Sequence, residues 1–482
     1  MKYIADLHVH SKYSRAVSRD MVLPIMDQFA RKKGIDILAT SDWTHPLWLR
    51  EIRAQLEESN EGLFNLKSQN DPTSEESGGH LRGEKNATLF VLSTEISSIY
   101  TQGGKVRRIH NLVLSPSFET CEKINQELVK RGCNLGSDGR PIVGLSSKSL
   151  LELVLSIDQK ALFIPCHVWT PWFALYGSMS GFDSIEECFG DYSKYIYAVE
   201  TGLSSDPEMN WRIKELETRS IVSSSDSHSP AKMGREATVF VENKNDPPAG
   251  GSNKQITFED ISLAIKRDQN GKLKIGYTIE FYPEEGKYHY TGHRNCKVVQ
   301  DPSQTKEKGV TCPVCKKPLT VGVMHRVDEL AHQQIKNSKF KVQNYEETVV
   351  TKLNKVGVKW YGDPKGIHPP FVKLVPLIEI VAESMSSTVA SLKVKQKFND
   401  ICDNFGSEFN VLLKTEVLEI EKSVGPRIAE GVTRVRKGDI IIHPGFDGEY
   451  GKVKIWNEEK DEKEKKSVEV KKDEEKNQLG LF

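Results

Sequence analysis

Short apolar runs rich in β-branched residues alternate with amphipathic stretches through the first half of the chain. The runs Tyr3–Val9, Ile35–Thr40, Leu89–Ser93, Ile109–Ser115, Ala161–Pro165, Ile196–Glu200 and Ser220–Ser224 read as buried strands. Between several of them apolar positions recur with helical spacing, predicting helices over Val22–Lys33 (stopped by Gly34), Glu119–Arg131, Ser147–Ser156 and Pro207–Thr218. Strand–helix alternation on this scale argues an α/β fold of barrel type. The polar, Gly-containing stretch Ser68–Asn86 reads as a surface insertion, and Asn243–Asn253, centred on Asp246-Pro247-Pro248-Ala249-Gly250-Gly251, as a linker.

Beyond the linker the pattern changes. A helix is predicted over Glu259–Asp268, followed by a Cys/His-rich segment. Helices are then predicted over Phe371–Glu383 and Lys393–Phe405, and strands over Asp439–His443 and Lys452–Trp456. From Glu458 to Lys476, sixteen of nineteen residues are charged, nine acidic and seven basic, which predicts a solvated tail. Four regions follow: 1–243, 257–344, 345–456 and the tail 457–482.

Composition narrows the function classes. In 482 residues, 37% are hydrophobic and 28% charged, a globular balance, and 67 basic residues cancel 67 acidic ones. Any nucleic-acid surface must therefore be local. No apolar run approaches the roughly 20 residues that span a bilayer, and Met1–His8 lacks the apolar core of a signal peptide, so a cytoplasmic protein without membrane contact is expected. Eight cysteines in a chain of this length do not make a disulfide scaffold.

Chemistry concentrates at the strand ends. His8 and His10, two apart, share a face; Asp226 and His228 repeat that spacing after another strand, and Asp42 and His45 follow a third. Glu95, His110 and His167 stand on or just after three more. Six of the thirteen histidines would then converge with three carboxylates on one mouth, an arrangement that metal ions make tolerable. Histidine and carboxylate donors suit divalent Zn²⁺, Mn²⁺ or Mg²⁺. Such ions would activate a water and neutralise charge on a phosphoryl group, so no protein nucleophile is required. Arg15, in the loop after His10, is a candidate phosphate clamp.

A second cluster has a different character. His293-Arg294-Asn295-Cys296 and Cys312-Pro313-Val314-Cys315 pair two knuckles fifteen residues apart, the pattern of a closed structural Zn²⁺ site, with His289 as a possible substitute for His293. The segment His167–Tyr176 contains Trp169, Trp172 and Phe173, candidates for stacking on a base.

His8-Val9-His10, Asp42/His45, Glu95, His110, His167 and Asp226-Ser227-His228, in that order, resemble the PHP (polymerase and histidinol phosphatase) domain. The resemblance implies a distorted (βα)7 barrel with two or three catalytic metals and phosphoester hydrolysis. It implies that His8, His10, Glu95 and Asp226 hold one ion, that Glu95, His110 and His167 hold a second with Glu95 bridging, and that His45 and His228 hold a third, supported by Asp42. Glu95, Asp226 and Arg15 are the candidate catalytic residues, although Arg15 follows Tyr13-Ser14 where the PHP family usually has an Asp. Gln478-Leu479-Gly480-Leu481-Phe482 resembles the bacterial sliding-clamp-binding motif, with Gln478, Leu479, Leu481 and Phe482 as anchors.

Barrel, zinc module, a C-terminal α+β region and clamp motif together resemble endonuclease Q, as do Gly292-His293-Arg294-Asn295-Cys296 and Gly445-Phe446-Asp447-Gly448-Glu449-Tyr450-Gly451. That family implies cleavage of DNA 5′ to uracil, hypoxanthine, xanthine or an abasic site, leaving a 3′-hydroxyl and a 5′-phosphate. The alternative is a small-molecule phosphoesterase of histidinol-phosphatase type. A third reading is a clamp-tethered DNA-binding factor without activity.

Overall fold

The computed structural model describes residues 1–67, 87–243, 255–336 and 349–456. Ser68–Asn86, nearly all of the predicted linker, and the charged tail with Gln478–Phe482 lie outside these residues.

Seven strands of the first half run in a circuit: β1 (Lys2–Asp6), β2 (Ile37–Ala39), β3 (Leu89–Gln102), β4 (Lys105–Ser115), β5 (Leu162–Pro165), β6 (Ala198–Glu200) and β7 (Ser220–Val222). The pairs β1–β2, β2–β3 and β6–β7 are parallel. The pairs β3–β4 and β4–β5 are antiparallel. Val168 N–H donates to Glu200 O at 3.1 Å, joining β5 to β6, and His10 N–H donates to Ser227 O at 3.0 Å, bringing the turn after β7 back to the end of β1. The βα alternation expected from sequence is interrupted where β3 and β4 form a long hairpin turned by Gly103 and Gly104, both at positive φ. Ser97 on β3 thereby faces His110 on β4 directly, and Glu95 lies two residues from Ser97 on the same face.

Away from the site, the first half of β1 pairs instead with β8 (Ala237–Glu242), which continues to β9 (Leu273–Glu280) and β10 (Phe371–Lys373). The sheet thus crosses the predicted linker without a break and counts thirteen strands among the described residues. Ala5, Leu7, Ile37, Val91, Leu112, Ile164, Ala198 and Val222 fill one core cluster of the strands.

Local signals explain the flanking helices. Leu23–Lys33 starts at a proline and stops at Gly34, whose left-handed backbone (φ 83°) lets its N–H reach Ala30 O and Arg31 O. Its last residue, Lys33, is buried and meets Glu408 at 2.7 Å. Glu408 also accepts from Leu377 N–H at 2.8 Å, pinning the start of the helix Leu377–Ser384. The helix expected over Phe371–Glu383 is corrected here: Phe371–Lys373 is strand β10, and Pro376, which lacks an N–H and disfavours a helical residue before it, delays the helix to Leu377. Pro207–Thr218 is likewise shorter, one turn over Pro207–Trp211 and a 3₁₀ turn over Lys214–Leu216.

Arg436 is the largest polar anchor of the C-terminal helices. Buried, it donates to four backbone carbonyls, Leu412 at 3.0 Å, Val356 at 2.8 Å, Val411 at 2.6 Å and Thr415 at 2.6 Å. These include carbonyls at the C-terminus of the helix Glu408–Leu413 that have no partner within that helix. Arg436→Met should lower stability by about 3 kcal/mol, since it strands several buried acceptors at once. A urea titration of both proteins checks this, and a loss below about 1 kcal/mol would refute the anchoring role.

Two acids meet at the β8–β9 junction, with Arg235 near Glu236 and Lys373 near Glu280 as their basic neighbours. Glu236 and Glu280 are both buried, and each keeps one carboxylate oxygen without a hydrogen-bond partner. Burial pushes Glu280 up to about 8, and burial together with the Glu280 charge holds Glu236 well above the carboxylate range. The fold therefore holds protons that the unfolded chain releases, so stability falls as pH rises from the ordinary carboxylate range through about 8. Glu280→Gln should flatten that fall, measured as the urea midpoint at pH 6 against pH 8.5; an unchanged slope would remove these acids from the account.

Candidate metal centre

The circuit presents its chemistry at one end. His8 and His10 follow β1, His167 follows β5, Asp226 follows β7, and Glu95 and His110 project from the hairpin. All are at least nine-tenths buried except His167 and Asp226, which are part-exposed. Glu95 sits at the middle with its two oxygens divided between two groups. Its Oε2 lies 3.3 Å from His10 Nε2 and 3.8 Å from His8 Nε2, and Asp226 Oδ1 completes that group at 3.0 Å and 3.8 Å from the same nitrogens. Its Oε1 lies 2.6 Å from His110 Nδ1 and 3.1 Å from His167 Nε2. His8, His10 and Asp226, and separately Glu95, His110 and His167, bring their donor atoms within 4.8 Å of one another, the spacing of donors around a shared cation.

The hydrogen bonding fits that use. His8 Nε2, His10 Nε2 and Asp226 Oδ1 are buried with no hydrogen-bond partner, although His10 Nε2 and Asp226 Oδ1 are only 3.0 Å apart. Buried donor atoms left this way cost free energy unless a cation sits among them. The opposite ring nitrogens are tied down. Glu200 receives His8 Nδ1 at 3.0 Å, and Asp42 receives His10 Nδ1 at 3.2 Å, which fixes both tautomers and aims both Nε2 atoms inward. Burial pushes the His110 imidazole down to about 4, a neutral ligand form. Burial would raise Glu95 and Asp226, but the imidazoles around them, with Arg140 beside Glu95, hold both well below the carboxylate range.

Backbone strain holds one ligand. His167 has φ 28°, and its N–H donates to Glu200 Oε2 at 3.0 Å. Gly202, at φ 59°, makes room, because a Cβ there would lie 2.2 Å from His167 Cβ. Strain of this kind persists only where surrounding contacts over-determine it.

Several expected residues take other positions. Asp42 joins no donor group: besides His10, its oxygens accept from Ser11 N–H at 2.7 Å, Ser11 Oγ at 2.7 Å, Ser14 Oγ at 2.8 Å and Ser41 Oγ at 2.9 Å, so it orients His10 and has no oxygen to spare. His45 stacks on Tyr13 at 4.3 Å, and His228 is turned by Nδ1 toward Asp226 O at 2.9 Å. Among the described residues these two do not complete a third donor group. Arg15 points away from the centre, 79% exposed and paired with Asp138 at 3.3 Å. Arg140 stands where Arg15 was expected, 3.1 Å from Glu95 Oε2. Trp169 is buried against Tyr176 and donates to Asn210 Oδ1 at 2.9 Å, which withdraws it from stacking on a ligand. Trp172 and Phe173 remain partly exposed, Trp172 edge-on to Tyr288 and Phe173 beside His110.

His293, Cys296, Cys312 and Cys315 bring their four donor atoms within 4.8 Å of one another. Each knuckle closes on a left-handed residue, Lys297 (φ 50°) and Lys316 (φ 62°), whose N–H groups return to Arg294 O and Cys312 O. His289 is elsewhere: burial pushes it down to about 4, with Asp206 and Lys373 as its charged neighbours.

Comparison with known proteins fits this layout. The lesion-specific endonuclease PfuEndoQ of Pyrococcus furiosus superposes with a TM-score of 0.72 at 28% identity, over 95% of this chain and 96% of that one. Endonuclease Q bound to a 27-mer duplex with an abasic lesion at its active site gives 0.73 at 29%, over 95% and 98%. Endonuclease Q is thus similar to this chain along nearly its whole length. Residues 376–439 match the model of the MJ0043 C-terminal domain. The uncharacterized protein MJ0043 of Methanocaldococcus jannaschii is 32% identical over 287 residues, which is 59% of this chain but 31% of that protein's length. Among the described residues no helix is long and apolar enough to cross a membrane.

Proposed function

We propose that this chain is a metal-dependent DNA repair endonuclease that hydrolyses the phosphodiester 5′ to a deaminated base or an abasic site, leaving a 3′-hydroxyl and a 5′-phosphate. One observation carries the reading: Glu95 divides its two oxygens between two donor groups, in one of which His8 Nε2, His10 Nε2 and Asp226 Oδ1 are buried without a hydrogen-bond partner. Endonuclease Q, similar along nearly the whole chain, has been seen with an abasic duplex in its active site, which supports DNA as the substrate.

His8, His10, Glu95 and Asp226 would hold one divalent ion (Zn²⁺, Mn²⁺ or Mg²⁺), and Glu95, His110 and His167 a second. When bound, such ions supply an activated water and charge neutralisation at the phosphoryl group. Glu200 and Asp42 keep His8 and His10 in register. Arg140, one-quarter exposed at the rim, is the phosphate clamp in place of Arg15. Trp172 and Phe173 form the stacking wall for an extruded base. His293, Cys296, Cys312 and Cys315 hold a structural Zn²⁺. The seven-strand circuit reads as a distorted (βα)7 barrel within residues 1–243, followed by the zinc module (257–344), an α+β region (345–456) and a tail whose Gln478-Leu479-Gly480-Leu481-Phe482 docks on a bacterial sliding clamp.

The test is end-labelled DNA carrying one uracil, hypoxanthine or abasic site beside an undamaged strand, with Mg²⁺ or Mn²⁺. A single cut 5′ to the lesion is expected. Intact lesion DNA together with turnover of a small phosphomonoester would overturn the reading in favour of a small-molecule phosphoesterase.

A further inference from the structure

Cys166 lies outside every role assigned so far. It follows β5 directly, one residue before the ligand His167, and adjacent residues along an extended chain normally point to opposite faces. Here the turn of His167 into the left-handed region (φ 28°) breaks that alternation, so that both side chains approach Glu95. Cys166 Sγ, His8 and Glu95 bring their donor atoms within 4.8 Å of one another. All three residues are fully buried. The approach is fixed from both sides. Cys166 N–H donates to His110 O at 3.0 Å, and His167 N–H to Glu200 Oε2 at 3.0 Å. Besides a long contact of 3.9 Å to Ile164 O, the thiol's polar neighbour is the His8 imidazole. His8 Nε2, in the same group, is buried without a hydrogen-bond partner.

Metal–sulfur and metal–nitrogen bonds of about 2.3 Å and 2.0 Å allow donor atoms up to roughly 4.3 Å apart to share an ion. The observed group needs little adjustment to do so. We propose that Cys166 is a thiolate ligand of the ion held by His8 and Glu95, making that position a mixed nitrogen, oxygen and sulfur site that selects zinc-like ions over Mg²⁺. The proposal rests on the metal-centre reading above. On binding, the S–H proton passes to solvent as the sulfur–metal bond forms, one proton per site. A soft donor changes the preference of the position, because carboxylate and water suit Mg²⁺ and Mn²⁺ whereas thiolate favours Zn²⁺, Fe²⁺ or Co²⁺. The two positions would then differ, with a resident softer ion beside Cys166 and a more exchangeable one between His110 and His167.

The test uses the full chain expressed with Co²⁺ in place of Zn²⁺. Thiolate–Co²⁺ charge transfer absorbs in the near ultraviolet, separate from the visible d–d bands that count bound ion. Cys296, Cys312 and Cys315 contribute three thiolates and Cys166 a fourth, so Cys166→Ala should lower the near-ultraviolet band by about a quarter while the knuckle signal persists. Cys166→Ser, which keeps the side-chain volume, should lose the same intensity and retain Mn²⁺ more readily than the parent. An unchanged band in both variants, at unchanged cobalt content, overturns the thiolate ligand and leaves the metal centre standing. A parent that binds one Co²⁺ per chain, at the knuckles alone, overturns both.

Discussion

Glu95→Gln is expected to reduce lesion cleavage by about a thousandfold or more, the loss that follows when several kcal/mol of transition-state charge stabilisation disappears. The amide keeps the shape of the side chain but removes the charge that both donor groups share. His10 Nε2 at 3.3 Å and His110 Nδ1 at 2.6 Å would face an uncharged group offering one oxygen and one N–H donor. Metal content should fall with activity, from three ions per chain toward the single knuckle ion, because neither group retains enough charge. Atomic emission on the purified variant, beside single-turnover cleavage, reads both quantities. Full metal content with lost activity would give Glu95 a chemical role and not a bridging one. Retention of both would end the metal-centre reading. Glu200→Gln should be milder, about 10- to 100-fold, as expected for a group that orients a ligand from behind.

Cys312→Ser should have the largest effect on stability. Cys312 is buried at the base of its knuckle, where N–H groups of Cys315 and Val314 lower its thiol below the ordinary range. A closed Zn²⁺ site of four donors contributes on the order of 10 kcal/mol in isolated zinc modules. Here the knuckles carry a small hairpin, Thr291–His293 with Val298–Gln300, that has little core of its own. The variant, or the parent treated with a strong chelator, should lose that module first. Limited proteolysis cutting between Tyr290 and Thr320, and a thermal midpoint lowered by at least about 5 °C, are the expected results. Wild-type resistance with zinc absent would show that packing alone holds the segment. The tie between Asp447 and this module, to Thr320 Oγ1 at 2.6 Å and Arg294 N–H at 2.7 Å, predicts that cleavage also becomes faster near Gly445–Gly451.

The donor groups were legible in sequence where chemistry and spacing coincide. His8 and His10, Asp226, and the Cys312–Cys315 knuckle announce themselves because such donors at strand ends or two or three apart serve few other purposes, whereas His228 shares the spacing and stays outside the donor groups. Glu200 carries no signal because it closes an ordinary buried strand, Ala198-Val199-Glu200, and nothing in that pattern says that its carboxylate receives His8. Arg140 was hidden in a loop whose path depends on Gly139, against Asp42 and Ser14. Asp42 shows the converse error: the right residue type at a strand end, but saturated by serine hydroxyls and a backbone N–H that only the fold brings together. Trp169 and Trp172 look alike in sequence. Only the fold separates them, Trp169 locked on Asn210 and Trp172 partly exposed. Cys166 carries no such signal in sequence, because strand alternation points it away from the side of His167.

The unbroken run of pairing from β1 through β8 and β9 to β10 also bears on how the molecule comes apart. Ladder hydrogen bonds and the Lys33–Glu408 contact cross the point where the sequence suggested a linker, so the first 243 residues share their framework with segments more than a hundred residues downstream. Severed there, β8 would offer a bare edge of unpaired N–H and C=O groups to any passing strand. Heat or denaturant should therefore meet one cooperative unit and not a string of modules, with the zinc knuckles as its weak point. A fragment ending at Asn243 would be a seed for self-association more than an enzyme in miniature.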